Sequence, residues 1–374
     1  MIYFDSAATT LQKPQSVYDA VQRTMRTAAG VGRGGYAAAE RAAQTVYACR
    51  EEAAALFDAE PERVIFTMNA THGLNIAIAT LVKPGARVVT SGFEHNAVTR
   101  PLYALGAEVI EAGRRLFDPE DTLNAFDAAL RLHPQAAVCT HVSNVFGYVL
   151  PIERIARLCA DRGVPLIIDA SQSAGILPLS LRKTGAAFLA MPGHKSLYGP
   201  QGTGLLLCAE SGEPLMQGGT GSNSELQQMP DFLPDRLEAG THNVCGIAGL
   251  CEGLRFVRRR TPQCIFAHEH SLLRLLERQL RPLRELTLYT GEEQSGVLSL
   301  TVRGVDCEEA ADLLGRSGAA VRAGLHCAPH AHGSAGTIDT GTVRVSFSAF
   351  NTAQEVRQFA DLCKKLFSER KKLR

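Results

Sequence analysis

The sequence lacks an excess of charge of either sign: 39 basic residues face 38 acidic ones, a net charge of +1 over 374 residues. No bulk field therefore draws the chain to nucleic acid or to an anionic membrane. The run Arg258-Arg259-Arg260 and the Lys/Arg-rich tail from Lys364 read as solvated helix faces. Paired cysteines are also lacking. The ten cysteines are scattered with no Cys-x-x-Cys spacing, which argues against a zinc ribbon and against a small disulfide scaffold. Cys139, Cys159 and Cys208 sit in apolar segments and read as small core residues, a usage that fits a reducing compartment. No apolar run approaches the roughly 20 residues of a membrane span, and no leader pattern precedes Tyr3, so a soluble, cytoplasmic protein is expected. There is no internal repeat and no low-complexity linker.

What the sequence does contain is alternation. Helical patterns at Gln15–Ala28, Ala37–Leu56, Leu74–Leu81 and Pro151–Asp161 interleave with short apolar runs. Those runs fall at Val64–Thr67, Arg87–Thr90, Glu108–Glu111, Ala137–His141 and Leu166–Asp169. Such βαβα order implies a mostly parallel sheet with helices on both faces. After about Gly253 the pattern changes. A helix starts at Thr261-Pro262, strands follow at Leu286–Tyr289, Val297–Val302 and Thr342–Phe347, and helices lie near Cys307–Leu314 and Thr352–Phe367. The expected organisation is an N-terminal segment (1–14), a large α/β domain (15–253) and a smaller α+β domain (254–374).

Two stretches carry the chemistry. Gly193-His194-Lys195 follows an apolar run that reads as a buried strand, and glycines and a proline crowd its C-terminal side. A lysine so placed is either a turn residue in water or an amine held for Schiff-base chemistry, which needs a neutral fraction. Upstream, Pro165–Asp169 is an apolar strand ending on a carboxylate, with Gln172 three residues later. Ligands of open parallel sheets sit beyond the carboxyl ends of the strands. Asp169 is thus either a helix N-cap or a ligand-facing carboxylate able to keep a pyridine nitrogen protonated, as pyridoxal phosphate (PLP) requires.

Weaker signals surround these. Thr67–Gly73 follows a strand and opens a helix, so its amides and the Thr71 hydroxyl could hold a phosphate, although an N-cap threonine looks the same. His95, in Phe93-Glu94-His95-Asn96, is either a solvated loop imidazole or one that stacks on a ring. Asn144 follows the strand ending at His141. Arg33 stands among glycines, as expected where backbone passes close to a ligand or a neighbour. Cys327 lies in Arg322–His332 with His326, His330 and His332. That cluster could ligate a metal, but the adjacent pair His326-Cys327 and the missing fourth ligand weigh against it. The competing reading is a thiol made nucleophilic by neighbouring imidazoles.

Asp169-x-x-Gln172 and Gly193-His194-Lys195 resemble the class V aminotransferase group of PLP enzymes, and Arg322-x-Gly-x-His-Cys-Ala resembles its cysteine desulfurases of the SufS type. The resemblance runs from Tyr3–Thr10 to Phe350-Asn351-Thr352. It implies fold type I with a mostly parallel seven-stranded sheet and a smaller C-terminal α+β domain. It implies that Lys195 holds PLP and transfers protons, that His95 stacks on the ring, and that Asp169, Gln172, His194, Asn144, Thr71 and the Ala70 position surround it. Thr241 would reach the partner's phosphate across a homodimer interface, and Arg33 would stand at the partner's active-site mouth. Arg344 and Arg322 would bind the substrate carboxylate, aided by Asn144, since an arginine fork matches a carboxylate. Cys327 would take sulfur from L-cysteine as a persulfide, releasing L-alanine, before passing it to an acceptor protein, as in iron–sulfur cluster assembly. L-Selenocysteine would fit the same residues; a plain aminotransferase would need no thiol at 327. The chain departs from the group at Pro192, Ala70 and His72, where relatives often carry hydroxyls or an acid, and a hydroxyl ligand to the phosphate is thereby lost. No metal is expected.

Overall fold

The computed structural model describes residues 1–32 and 34–368. In chain order the strands are β1 (Ile2–Tyr3), β2 (Val64–Thr67), β3 (Arg87–Ser91), β4 (Glu108–Ala112), β5 (Ala136–Thr140), β6 (Leu166–Asp169), β7 (Phe188–Pro192), β8 (Gly204–Cys208), β9 (Leu286–Tyr289), β10 (Val297–Val302), β11 (Ala319–Ala320), β12 (Arg322–Gly324) and β13 (Thr342–Ser346). The helices are α1 (Gln15–Thr27), α2 (Ala37–Phe57), α3 (Ala70–Leu81), α4 (Asn96–Ala104), α5 (Pro119–Leu130), α6 (Ile152–Asp161), α7 (Leu181–Thr184), α8 (Val244–Arg260), α9 (Pro262–Leu280), α10 (Cys307–Arg316), α11 (Pro329–Ala335) and α12 (Ala353–Cys363).

Seven strands form one sheet in the order β2-β8-β7-β6-β5-β3-β4, and only β8 runs antiparallel to its neighbours. Its inner strands β5, β6, β7 and β8 are buried at every residue, which is why they read as unbroken apolar runs rather than as alternation. Helices cover both faces. A core on one side gathers Val46, Cys49, Phe57, Phe126, Ile155 and Leu250, and a second, on the other, gathers Leu74, Ile76, Val98 and Leu102. α6 shows the pattern at its plainest: Ile152, Ile155, Ala156 and Cys159 are its buried positions.

A four-stranded antiparallel sheet, β12-β13-β10-β9, packs with α9, α10 and α12 around Leu273, Leu298, Val345 and Phe359. α12 opens on a full capping box, Thr352 with Glu355. It ends at Cys363 and gives way to a wider turn over Lys364–Ser368, short of the single helix to Phe367 that the sequence suggests. The N-terminal strand β1 pairs with β11, and Asp5 then bridges to Ser346. Ala7 and Thr10 then bond Gln172 and Lys195 of the large sheet's loops, so the first residues of the chain tie the two cores together. No helix among the described residues is long and apolar enough to cross a membrane.

Strand register gathers the loops that matter. Thr140, Asp169 and Ala190 stand side by side at the carboxyl ends of β5, β6 and β7, so the loops after these strands open on one place. Two helices there were not apparent from periodicity: α4, nine residues long with Pro101 inside it, and α5, capped by Asp118 with Pro119 at its first position.

Candidate active site

A cavity of about 230 Å³ lies at these strand ends, lined by Asn69, Ala70, Thr71, His95, Ala97, Thr140, Val142, Asn144, Asp169, Ser171, Gln172, Pro192, His194 and Lys195. Asp169 is 2% exposed. Its Oδ1 accepts from the Ser171 amide at 2.9 Å, and Oδ2 has no hydrogen-bond partner among the described residues. The Lys195 amine likewise donates to no residue described. Burial pulls its pKa from 10.5 down to about 8, with Asp169 working against that shift and Arg344 adding to it. Gly193 lets the loop pass this close: a Cβ there would stand 2.1 Å from Thr203 Oγ1.

His95 caps α4, its Nδ1 accepting from the Ala97 amide at 3.0 Å, so its proton sits on Nε2. Burial lowers its pKa, opposed by Asp169 and assisted by Lys195, so the ring is neutral at pH 7. The cap of α3 is Asn69, whose Oδ1 accepts from the His72 amide at 2.9 Å; Thr71 lies inside the first turn instead of capping it. The helix thereby starts four residues before the apolar pattern does, and it presents first-turn amides to the cavity. His194 is held by Thr9, with Nδ1 and Thr9 Oγ1 3.1 Å apart, and burial lowers its pKa to about 4. Gln172 donates to the Ala7 carbonyl at 2.9 Å.

Arg322 and Arg344 stand directly opposite each other on β12 and β13, and both are held by Asp5. Arg322 gives Nε and Nη2 to Asp5 Oδ2 at 3.1 and 2.9 Å; Arg344 gives Nη2 to Oδ1 at 3.1 Å and Nη1 to the Asn144 carbonyl at 2.9 Å. Arg344 is 2% exposed, and its charge reaches both Lys195 and His95.

Cys327 is exposed and sits on a loop tied to the cavity at two points. Its carbonyl accepts from the Asn96 amide at 2.7 Å, next to His95, and the His326 carbonyl accepts from Asn144 Nδ2 at 2.8 Å. His326 and Cys327 both have positive φ, 49° and 56°, a left-handed conformation that costs a non-glycine residue free energy. The neighbouring imidazoles do not act as the sequence suggests. The His326 ring is buried against the Thr342 carbonyl with its pKa pushed down to about 2, His332 is buried on Thr337, and His330 pairs with Glu111. They carry no charge to lend the thiol through His326 or His332. Arg322, five residues before Cys327, interacts with it electrostatically. No three His, Cys, Asp or Glu side chains among the described residues converge on a metal-sized point.

Thr241 is not in this cavity. It lines a separate one of about 220 Å³ with Met68, His72, Met216 and Asn243. Arg33 lies outside the described residues. Three residues of the site went unread in the sequence. Asp5 and Thr10 stood in a string noted only for its resemblance, yet Asp5 anchors both arginines and Thr10 Oγ1 donates to the Lys195 carbonyl at 2.7 Å. Glu94, beside His95, is fully buried, with Oε1 accepting from the Thr140 amide at 2.8 Å.

The Aminotransferase class-V family matches residues 2–359. A probable cysteine desulfurase from Methanothermobacter thermautotrophicus is 31% identical, over 95% of this chain and 92% of its own. One from Pyrococcus abyssi is 30% identical, over 98% and 94%. Among solved structures, the apo cysteine desulfurase from Thermococcus onnurineus superimposes with a TM-score of 0.88 at 30% identity, covering 98% of this chain and 94% of that one. A cysteine desulfurase from Escherichia coli in an S-sulfonic acid form gives 0.84 at 27%, over 97% and 94%. With its sheet, its strand-end cavity and this match over nearly its whole length, the chain belongs to the class-V aminotransferase family, among the cysteine desulfurases.

Proposed function

We propose that the chain is a PLP-dependent cysteine desulfurase that converts L-cysteine to L-alanine and takes the sulfur onto Cys327. One observation carries this: the unpartnered Lys195 amine and the free oxygen of Asp169 share one cavity, and the Cys327 loop is pinned to its rim by Asn96 and Asn144. The donor set fits the cofactor. A phosphorylated pyridine aldehyde needs an amine, a buried carboxylate and an anion seat, and these are Lys195, Asp169 and the start of α3 with Thr71. Pro192 and Ala70 offer no hydroxyl, so the seat relies on backbone amides, Thr71 and His194.

When bound, PLP supplies an electron sink for charge developing at the substrate Cα. Asp169 would keep a ring nitrogen protonated, and His95 would cover the ring while holding its own proton on Nε2. Arg344 and Arg322 would hold the substrate carboxylate, with Asn144 fixing the Arg344 guanidinium. Lys195 Nζ, part of it neutral at pH 7, would take and return the Cα proton. Cys327 Sγ, as thiolate, would attack the substrate sulfur and form an S–S bond; the C–S bond would break with its electron pair left on Cβ, which takes up one proton, and L-alanine would leave once Cα has regained its own. An acceptor thiol then removes the outer sulfur by exchange. Ten unpaired cysteines suit a reducing compartment, and we assign the enzyme to the cytoplasm.

Peptide mass spectrometry after brief exposure to L-cysteine tests this. The Cys327 peptide should gain one sulfur atom, and Cys327→Ala should lose sulfide release by orders of magnitude while its visible spectrum with PLP is unchanged. Sulfur found on another cysteine, or undiminished release by the variant, would refute the assignment.

A further inference from the structure

We propose that Asp5 sets the affinity of the carboxylate seat: it is an internal carboxylate, held on Arg344 and Arg322, with which the carboxylate of an incoming amino acid competes at Arg344. This rests on the proposed reading of the two arginines as the substrate's carboxylate site. Two guanidinium groups directly opposite on neighbouring antiparallel strands repel each other, and such a pair needs an anion between them. Asp5 is that anion, and its backbone is fixed beside them. It bridges to Ser346, two residues along β13 from Arg344, and Ser346 Oγ accepts from the Ala7 amide at 2.8 Å.

Asp5 takes the donors that a substrate would use. Both Nε and Nη2 of Arg322 point to it, the fork geometry proper to a carboxylate ligand. Arg344 gives it Nη2, commits Nη1 to the Asn144 carbonyl, and keeps Nε buried without an acceptor. Every two-nitrogen edge of the buried Arg344 therefore has at least one nitrogen already committed, whereas the more exposed Arg322 keeps its Nη1 clear of Asp5. Two positive charges and one negative leave the cluster one charge short of neutrality, which one further carboxylate supplies. Arg322, whose side chain is 52% exposed, can follow Asp5 as it shifts; Arg344, at 3%, cannot. The newcomer thus displaces Asp5 from Arg344. Such an internal competitor lowers the affinity for every carboxylate alike and leaves amines untouched. Ligands that bring no further contact are held weakly, and the return of Asp5 assists release of L-alanine.

The test is calorimetric titration of the PLP-loaded enzyme with L-alanine and with ethylamine, in wild type and Asp5→Asn, with thermal unfolding in formate as a second readout. L-Alanine should bind Asp5→Asn on the order of tenfold more tightly, with ethylamine unchanged. Formate should raise the unfolding midpoint of Asp5→Asn and not that of wild type, by filling the vacated seat. If Asp5→Asn folds only in formate, that too supports the proposal. Weaker or equal L-alanine binding by Asp5→Asn would overturn it, as would parallel shifts for ethylamine, or failure of both Asp5→Asn and Asp5→Gly to fold in formate. A wild type that binds neither L-alanine nor L-cysteine instead refutes the proposed reaction, and the formate readout still reports on Asp5.

Discussion

Lys195 shows how much a single side chain depends on its surroundings. An exposed lysine at pH 7 is neutral in fewer than about one molecule in a thousand; with a pKa of about 8 the neutral share is roughly one in ten. The cause is burial, and Asp169 keeps the shift from going further. Attachment of PLP to the cofactor-free protein should therefore quicken as pH rises toward 8 and level off above it, when followed by visible absorption. A rate still climbing past pH 9 would mean that the amine is unperturbed. Cys327 makes the complementary point through backbone. Two successive left-handed residues, neither of them glycine, are tolerable because Asn96 and Asn144 hold the peptide groups on either side.

At the scale of elements, the carboxyl ends of β3 and β5 are joined by a buried carboxyl group. Glu94 follows β3 and takes the Thr140 amide at the end of β5, and burial raises its pKa from 4.5 to about 8. The native state thus keeps a proton that the unfolded chain has released between about pH 4.5 and 8. Where the native state binds more protons, stability falls as pH rises, so it is lost across that window and is level above it. Glu94→Gln removes the titration. Its stability relative to wild type should grow by up to a few kcal/mol from about pH 5 to about pH 8.5, measured by urea unfolding. Identical pH profiles for the two proteins would count against a protonated Glu94. The N-terminal segment is a second such device: Ala7, Thr9 and Thr10 bind Gln172, His194 and Lys195, so the first ten residues join the arginine pair to the lysine loop.

For the whole molecule, the cavity around Thr241 is the feature that bears on assembly. Met68 and Met216 line it while 55% and 44% exposed, an apolar rim of the kind that a partner covers. We propose that it is covered by a second copy in a two-fold homodimer, Thr241 serving the neighbour's phosphate seat. Sedimentation should give about twice the chain mass of 40.2 kDa, and Met216→Glu should shift the protein toward monomer. A wild-type monomer with full activity would exclude shared sites.

The layered fold was legible in the sequence because a strand buried on both faces, such as Leu166–Asp169, is an unbroken apolar run, and the partly exposed edge strand Leu286–Tyr289 and its neighbour Val297–Val302 also appear with the limits their composition suggests. It also singled out Asp169 and Lys195, since a charge at the end of such a strand, or a lysine in a crowded turn, breaks a local rule. It was silent on short helices such as α4, whose nine residues carry too little periodicity, and on the roles of groups paired across the chain. Asp5 and Arg344 are 339 residues apart, and so are Ala7 and Ser346. The histidines around Cys327 illustrate the same limit. A string of imidazoles beside a thiol looks like a source of positive charge, but whether a ring is charged depends on burial. Only the packing of β13 and Thr337 against that loop shows that the rings of His326 and His332 are buried and neutral.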